Sequence, residues 1–160
     1  MGYGLPAAIG AQLAFPDRIV FDIAGEGSFQ MNVQELATAV QYGLPIKVAI
    51  LNNHYLGMVR QWQELFFDKR YSQTAMDAQP DFARLAEAYG AVGLRAEHPE
   101  EVIPCLEKAL AIQGPVVMDF HVDPEEKVFP MVPAGHGIDQ MILAKPDKKA
   151  RRVVPLTFPS

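Results

Sequence analysis

The segment Ile46-Lys47-Val48-Ala49-Ile50-Leu51 is an apolar run interrupted by a single lysine. A strand without polar alternation belongs in a parallel sheet with helices on both faces, because neither of its faces meets water. The rest of the chain fits that demand. Arg18 to Ala24 reads as a β-branched-rich strand running into Gly25, Gly93-Leu94-Arg95 as a short strand, and Val116 to Val122 as the last core strand. Between them lie helical patterns at Ala7–Ala14, Val33–Tyr42, from about Met58 onward, Asp81–Tyr89 and Pro99–Ile112. Asn32 and Glu35 have the spacing of a capping box for the second helix, and Gly43-Leu44-Pro45 closes it. Ser72 to Pro80 reads as a polar loop. Strand and helix in alternation predict an α/β fold, a mainly parallel sheet with helices on both faces.

With 160 residues, 49% of them hydrophobic and 21% charged, the chain has material for one packed core. We expect an α/β domain over residues 1–123 and a C-terminal extension over 124–160, richer in Pro, Gly and Lys, that packs on the domain or on a partner. The balance of 14 Lys and Arg against 19 Asp and Glu gives a net charge of −5, which argues against general nucleic-acid binding. The basic residues Lys145, Lys148, Lys149, Arg151 and Arg152 read as a solvated tail. One cysteine, Cys105, excludes an internal disulfide and reads as a core thiol. No apolar run approaches the ~18 residues of a membrane span. The opening Met-Gly-Tyr-Gly-Leu-Pro lacks the basic start of a secretory signal, so a cytoplasmic location is expected. That Gly-rich opening also reads as the middle of something, as though further chain preceded it.

Ligands of open α/β sheets bind beyond the carboxyl ends of strands. Two strand ends here carry unusual residues: Gly25-Glu26-Gly27-Ser28-Phe29 and Asn52-Asn53. Glycines let the backbone approach a bulky anion, and Ser28 with nearby N–H groups can hold phosphate oxygens. Glu26 and Asn53 offer an anionic and a neutral oxygen, a pairing suited to Mg²⁺ that completes its shell with substrate phosphates. Each segment taken alone also reads as ordinary turn chemistry. Gln30 stands where a third glycine would complete a dinucleotide-binding G-x-G-x-x-G, which leaves that reading weak. The four histidines, His54, His98, His121 and His136, share no metal-like spacing.

Gly27 and Asn52 are about two dozen residues apart, room for one helix and one strand. This arrangement resembles the thiamine diphosphate motif, Gly-Asp-Gly followed at such an interval by Asn-Asn. Within that superfamily, Met1–Ala8 (MGYGLPAA), Gln34–Thr38 (QELAT), Leu56–Trp62 (LGMVRQW) and Pro130–Gly135 (PMVPAG) resemble the large catalytic subunit of acetolactate synthase.

The resemblance implies the diphosphate-binding domain of the thiamine diphosphate-binding fold. It implies Gly27 and Ser28 on the diphosphate and Met1 beneath the folded cofactor. Leu56, Gly57, Met58 and Val59 would line the cofactor and substrate pocket, and Trp62 the substrate channel. The metal ligands it implies are Glu26, Asn53 and the Tyr55 backbone carbonyl. It implies thiamine diphosphate and Mg²⁺ as cofactors, with FAD carried by a middle domain outside these residues. The implied chemistry is decarboxylation of pyruvate and carboligation to pyruvate or 2-oxobutyrate, on the route to Val, Leu and Ile. The implied partners are a homo-oligomer or complementary N-terminal domains, and a small regulatory subunit. The family's catalytic glutamate belongs to the N-terminal domain, so none is assigned here.

One position departs from the pattern: Glu26 stands where the family has Asp, and its longer side chain is expected to weaken metal binding. A non-catalytic docking remnant, or another thiamine diphosphate-dependent 2-oxo-acid decarboxylase, stays open beside the synthase reading.

Overall fold

The structure, a computed structural model, describes residues 1–144; the basic tail from Lys145 lies outside the described residues. Its elements alternate as the patterning requires: α1 (Gly4–Ala14), β1 (Phe21–Gly25), α2 (Glu26–Gln30), α3 (Leu36–Gln41), β2 (Lys47–Asn52), α4 (Gly57–Phe66), α5 (Phe82–Tyr89), β3 (Val92–Ala96), α6 (Pro99–Ala111) and β4 (Val116–His121). The strands form one sheet in the order β1-β2-β4-β3, every pair parallel. By contact, the chain divides into Met1–Glu125 and a second unit from Glu126. In the second unit Met131 and Ile142 exchange backbone hydrogen bonds of 2.9 and 2.7 Å, and a short 3₁₀ turn spans Ile138–Gln140.

Two apolar layers sandwich the sheet. On one face Val48, Ile50 and Val117 meet Leu5, Phe29, Leu36, Phe82 and Ala86 from α1, α2, α3 and α5, with the Phe29 and Phe82 rings edge to face at 5.9 Å. On the other, Ala49, Leu94, Val116, Met118 and Phe120 meet Cys105 and Ala109 of α6. Cover on this second face is unequal. Leu51 and Ile23 are exposed, so the expectation that the Ile46–Leu51 strand is buried along its length on both sides holds only over its first part. A single helix packs there, and it lies over β3 and β4.

Local chemistry sets the ends. The Asp81 side chain accepts from the Arg84 N–H at 3.1 Å and caps α5, which closes at Gly90. Pro99 opens α6, and the Glu101 carboxylate accepts from the N–H groups of His98 and Glu97. The lysine inside the apolar run, Lys47, is buried, and its Nζ donates to the carbonyls of Ile112 (2.8 Å) and Gly114 (2.9 Å) beyond the end of α6.

The helix expected over Val33–Tyr42 is split into a 3₁₀ turn, Val33–Glu35, and α3. The Asn32–Glu35 capping box does not form: the Asn32 NH₂ donates to the Gly2 carbonyl, and its Oδ1 accepts from Gln34 Nε2 at 3.3 Å instead of from the Glu35 N–H. Residues just after β1, expected as a turn, form the short helix α2.

Candidate active site

The parallel register sets Gly25 beside Leu51, so the segments leaving β1 and β2 emerge side by side at one edge of the sheet. Glu26 follows directly from β1 and is almost fully buried, with 1% of its surface exposed. Its Oε1 accepts the Tyr55 N–H at 2.9 Å, and the same N–H reaches Asn53 Oδ1 at 3.0 Å. A carboxylate oxygen and an amide oxygen thus converge on one backbone hydrogen. Burial raises the Glu26 carboxyl above the usual carboxylate range and outweighs the backbone N–H groups and His54, which favour the ionised form.

The chain can place Tyr55 there because the residue before it, His54, takes a left-handed backbone, with φ of 60°, a conformation uncommon for a residue with a side chain. Past the turn, the loop read only as polar folds back. Thr74 O accepts from Leu56 N at 2.8 Å, and Met76 N donates to His54 O at 2.9 Å. These bonds form an antiparallel bridge between Tyr55 and Ala75 that uses neither the N–H nor the carbonyl of Tyr55. Gln63 holds the loop to α4 through Ser72 O (2.9 Å) and the Thr74 hydroxyl (3.1 Å). The Arg60 guanidinium, 4.5 Å from the Tyr55 ring and 5.1 Å from Tyr71, ion-pairs with Glu125.

Gly27 is buried against the loop and the turn. A Cβ there would lie 2.7 Å from Leu56 Cδ2 and 3.2 Å from Met76 Sδ. Ser28 Oγ accepts the Gly2 N–H at 2.9 Å, leaving its own O–H to donate elsewhere. Gly2 has φ of +76°, and a Cβ would come within 2.9 Å of Asn32 Nδ2, so only glycine fits comfortably. Met1, exposed, is thereby tied to the Ser28 end of the site. A Cβ on Gly57 would meet Asn53 Nδ2 at 2.9 Å, which places the Asn53 amide against the start of α4. Leu56 is half-buried; Met58, Val59 and Trp62 follow on α4 and are exposed, Trp62 by 50%. Trp62 is therefore not a core aromatic in this unit. Phe66 and Phe67, the further aromatics of this stretch, are exposed as well.

The structure thus brings Glu26, Gly27, Asn53, Tyr55, Leu56 and Gly57 together, with Ser28 and Met1 joined through Gly2. Sequence reasoning missed Met76 and Thr74, which sit in a loop with no motif, and Asp119, the buried partner of Asn52, a residue it placed in the motif without a role. Asp119 lies mid-strand between apolar neighbours, Met118 and Phe120, and a lone charge inside such a strand was the available signal.

Fold and site together define a parallel α/β domain that gathers oxygen donors and a glycine-backed cradle at the carboxyl ends of adjacent strands. Its family follows from direct comparison: residues 1–120 match the family described as "Thiamine pyrophosphate enzyme, C-terminal TPP binding domain", and the chain belongs to it. The acetolactate synthase large subunit of Haemophilus influenzae is 49% identical over 150 residues, covering 93% of this chain and 26% of its own length. The mitochondrial acetolactate synthase catalytic subunit of Saccharomyces cerevisiae is 50% identical over 147 residues, covering 92% of this chain and 21% of its own. Among solved structures, the Rhodococcus jostii RHA1 thiamine diphosphate-dependent 4-hydroxybenzoylformate decarboxylase superposes with a TM-score of 0.74 at 34% identity, over 79% of this chain and 24% of that one. The chain spans about a quarter of the length of these relatives. Among the described residues, no helix is long and apolar enough to cross a membrane.

Proposed function

We propose that this chain is the diphosphate- and Mg²⁺-binding portion of a thiamine diphosphate-dependent acetolactate synthase. The assembly would decarboxylate pyruvate and ligate the product to pyruvate or 2-oxobutyrate, giving acetolactate or acetohydroxybutyrate for branched-chain amino-acid synthesis. The observation that carries this reading is the convergence of Glu26 Oε1 and Asn53 Oδ1 on the Tyr55 N–H. A buried carboxylate whose ionised form is disfavoured, beside a neutral amide oxygen, suits a divalent cation that restores the charge. Among the described residues no three His, Cys, Asp or Glu form a metal cage. Mg²⁺ takes a few protein oxygens and completes its octahedron with phosphate and water.

In this reading Glu26, Asn53 and the Tyr55 carbonyl hold the metal, and Gly27 and Ser28 receive the diphosphate. Gly27 lets backbone approach it, and Ser28 donates its hydroxyl. Met1, Leu56, Gly57, Met58 and Val59 shape the apolar wall against the rings, and Trp62 faces the substrate channel. The bound cofactor supplies the electron sink for 2-oxo-acid chemistry. The residues here anchor and orient it, a positioning contribution that reaches several kcal/mol in such systems. The remaining parts come from elsewhere: complementary N-terminal domains with the catalytic acid, a middle domain with FAD, a homo-oligomeric partner and a small regulatory subunit. The location is cytoplasmic.

The test mixes the chain with a separately expressed protein comprising the N-terminal domains and assays acetolactate formed from pyruvate with thiamine diphosphate and Mg²⁺. Turnover that depends on this chain and on Mg²⁺ is expected. Complex formation without turnover would show a docking remnant, and CO₂ release without acetolactate a decarboxylase.

A further inference from the structure

Behind the Glu26–Asn53–Tyr55 cluster lies a polar chain that crosses three strands. Asn52 and Asp119 are each 1% exposed. Asn52 Nδ2 donates to Asp119 Oδ1 at 3.0 Å. A carboxylate only accepts, so this bond fixes which way the Asn52 amide faces. Its Oδ1 is left to accept the His54 N–H at 3.2 Å and Gln79 Nε2 at 3.0 Å. Gln79 Nε2 also lies 2.8 Å from His54 Nδ1, and the His54 ring stands edge to face on His121 at 5.5 Å. The far oxygen of Asp119 is held by Arg95 Nε and faces His121 Nε2, both at 3.4 Å, while Arg95 pairs with Asp81 at 2.7 Å.

We propose that Asp119 is a positioning residue for the cofactor site, acting through the Asn52 amide to hold His54 in its left-handed conformation and so aim the Asn53–Tyr55 turn. His54 stands between Asn53 and Tyr55, and its N–H is secured by Asn52 Oδ1. If the Asn52 amide turned over, an NH₂ group would face the His54 N–H and two donors would oppose each other. The left-handed turn would lose its tie, and the Tyr55 N–H its aim toward Glu26. Asp119 prevents that reversal because only the amide NH₂ can satisfy it. The proposal rests on the functional reading above for the identity of the ligand, but the turn itself exists without it.

The test uses the full chain and two variants, Asp119→Asn and the exchange Asn52→Asp with Asp119→Asn. The single variant is nearly isosteric but lets the Asn52 amide turn over. The exchange puts the acceptor-only group at 52, where it still accepts from His54 and Gln79, and restores a donor at 119. Two readouts are taken: hydrogen exchange at the His54 and Tyr55 amides in metal-free protein, and Mn²⁺ half-saturation by electron paramagnetic resonance with thiamine diphosphate present. Asp119→Asn is expected to speed exchange at both amides and weaken Mn²⁺ about tenfold, the lower end for groups that orient metal ligands. The exchange variant is expected to return both readouts to within about twofold of the parent. Unchanged amide exchange in Asp119→Asn, or failure of the exchange variant to restore it while melting like the single variant, overturns the positioning role. Faster exchange with unchanged Mn²⁺ half-saturation overturns its link to the metal. An unmodified chain that binds no Mn²⁺ overturns the cofactor reading instead, and the metal-free amide exchange still decides whether Asp119 aims the turn.

Discussion

Replacing Glu26 by aspartate separates the two demands placed on this carboxylate. Shortening the side chain by one methylene withdraws the carboxylate by about 1.5 Å. The 2.9 Å bond from the Tyr55 N–H to Oε1 then passes out of hydrogen-bonding range. A bond to an ionised group contributes about 1.5–3 kcal/mol, and a metal binding at Glu26 has to compete with it. Removing the competitor at the low end of that range is worth about a factor of ten in affinity. We therefore expect Glu26→Asp to lower the Mg²⁺ half-saturation about tenfold with thiamine diphosphate saturating. The metal-free chain should become less stable by the same amount, about 1.5 kcal/mol, since the Tyr55 N–H keeps only its bond to Asn53 Oδ1. Calorimetric titration of Mg²⁺ and urea unfolding without metal measure the two effects, which have opposite signs. Equal half-saturation in the two chains, or weaker binding by the aspartate variant, refutes the reasoning.

Three further outcomes follow from named contacts. Asp22 is buried with Oδ2 unpartnered, and burial raises its carboxyl above the usual 3.8. Its stabilising contribution is therefore fully present below that value and lost as pH rises through the higher folded one. Asp22→Asn should flatten this dependence and stabilise the chain at pH 7 by about 1 kcal/mol, read from urea midpoints across pH. Lys47→Met should cost about 1–2 kcal/mol in urea unfolding, because it removes the donor from the half-buried carbonyls of Ile112 and Gly114. Trp62→Ala should shift unfolding of the isolated chain by less than about 0.5 kcal/mol, its ring being half exposed. In the assembly proposed above it should lower acetolactate turnover; a large stability loss with normal turnover would place Trp62 in packing instead.

Periodicity read the strands correctly because burial in a parallel sheet leaves a composition that needs no partner to recognise. Val48, Ile50 and Val116–Met118 are apolar whichever helix covers them. Helix ends were less legible. Asn32 has the residue type and spacing of a cap, yet its NH₂ is drawn to the Gly2 carbonyl, 30 positions away in the chain, and its Oδ1 to Gln34. A local pattern cannot register a distant partner that turns the side chain away from the cap. Likewise the run at Ile46–Leu51 reports its own hydrophobicity and not its cover, so the exposure of Leu51 and Ile23 appears only with α6 in place over β3 and β4.

By itself the sequence determined the α/β class and the residue types at two strand ends, a glutamate between two glycines among them. Those are properties of composition and spacing along the chain. The tertiary structure decided that the two ends are neighbours, since the β1–β2 register sets Gly25 beside Leu51. It also decided that the Ser72–Pro80 loop returns to bridge Tyr55, and that a carboxylate on β4 orients the amide that ties down His54. Most of these contacts join residues far apart in the chain, and only the assembled sheet brings such partners within about 3 Å of one another.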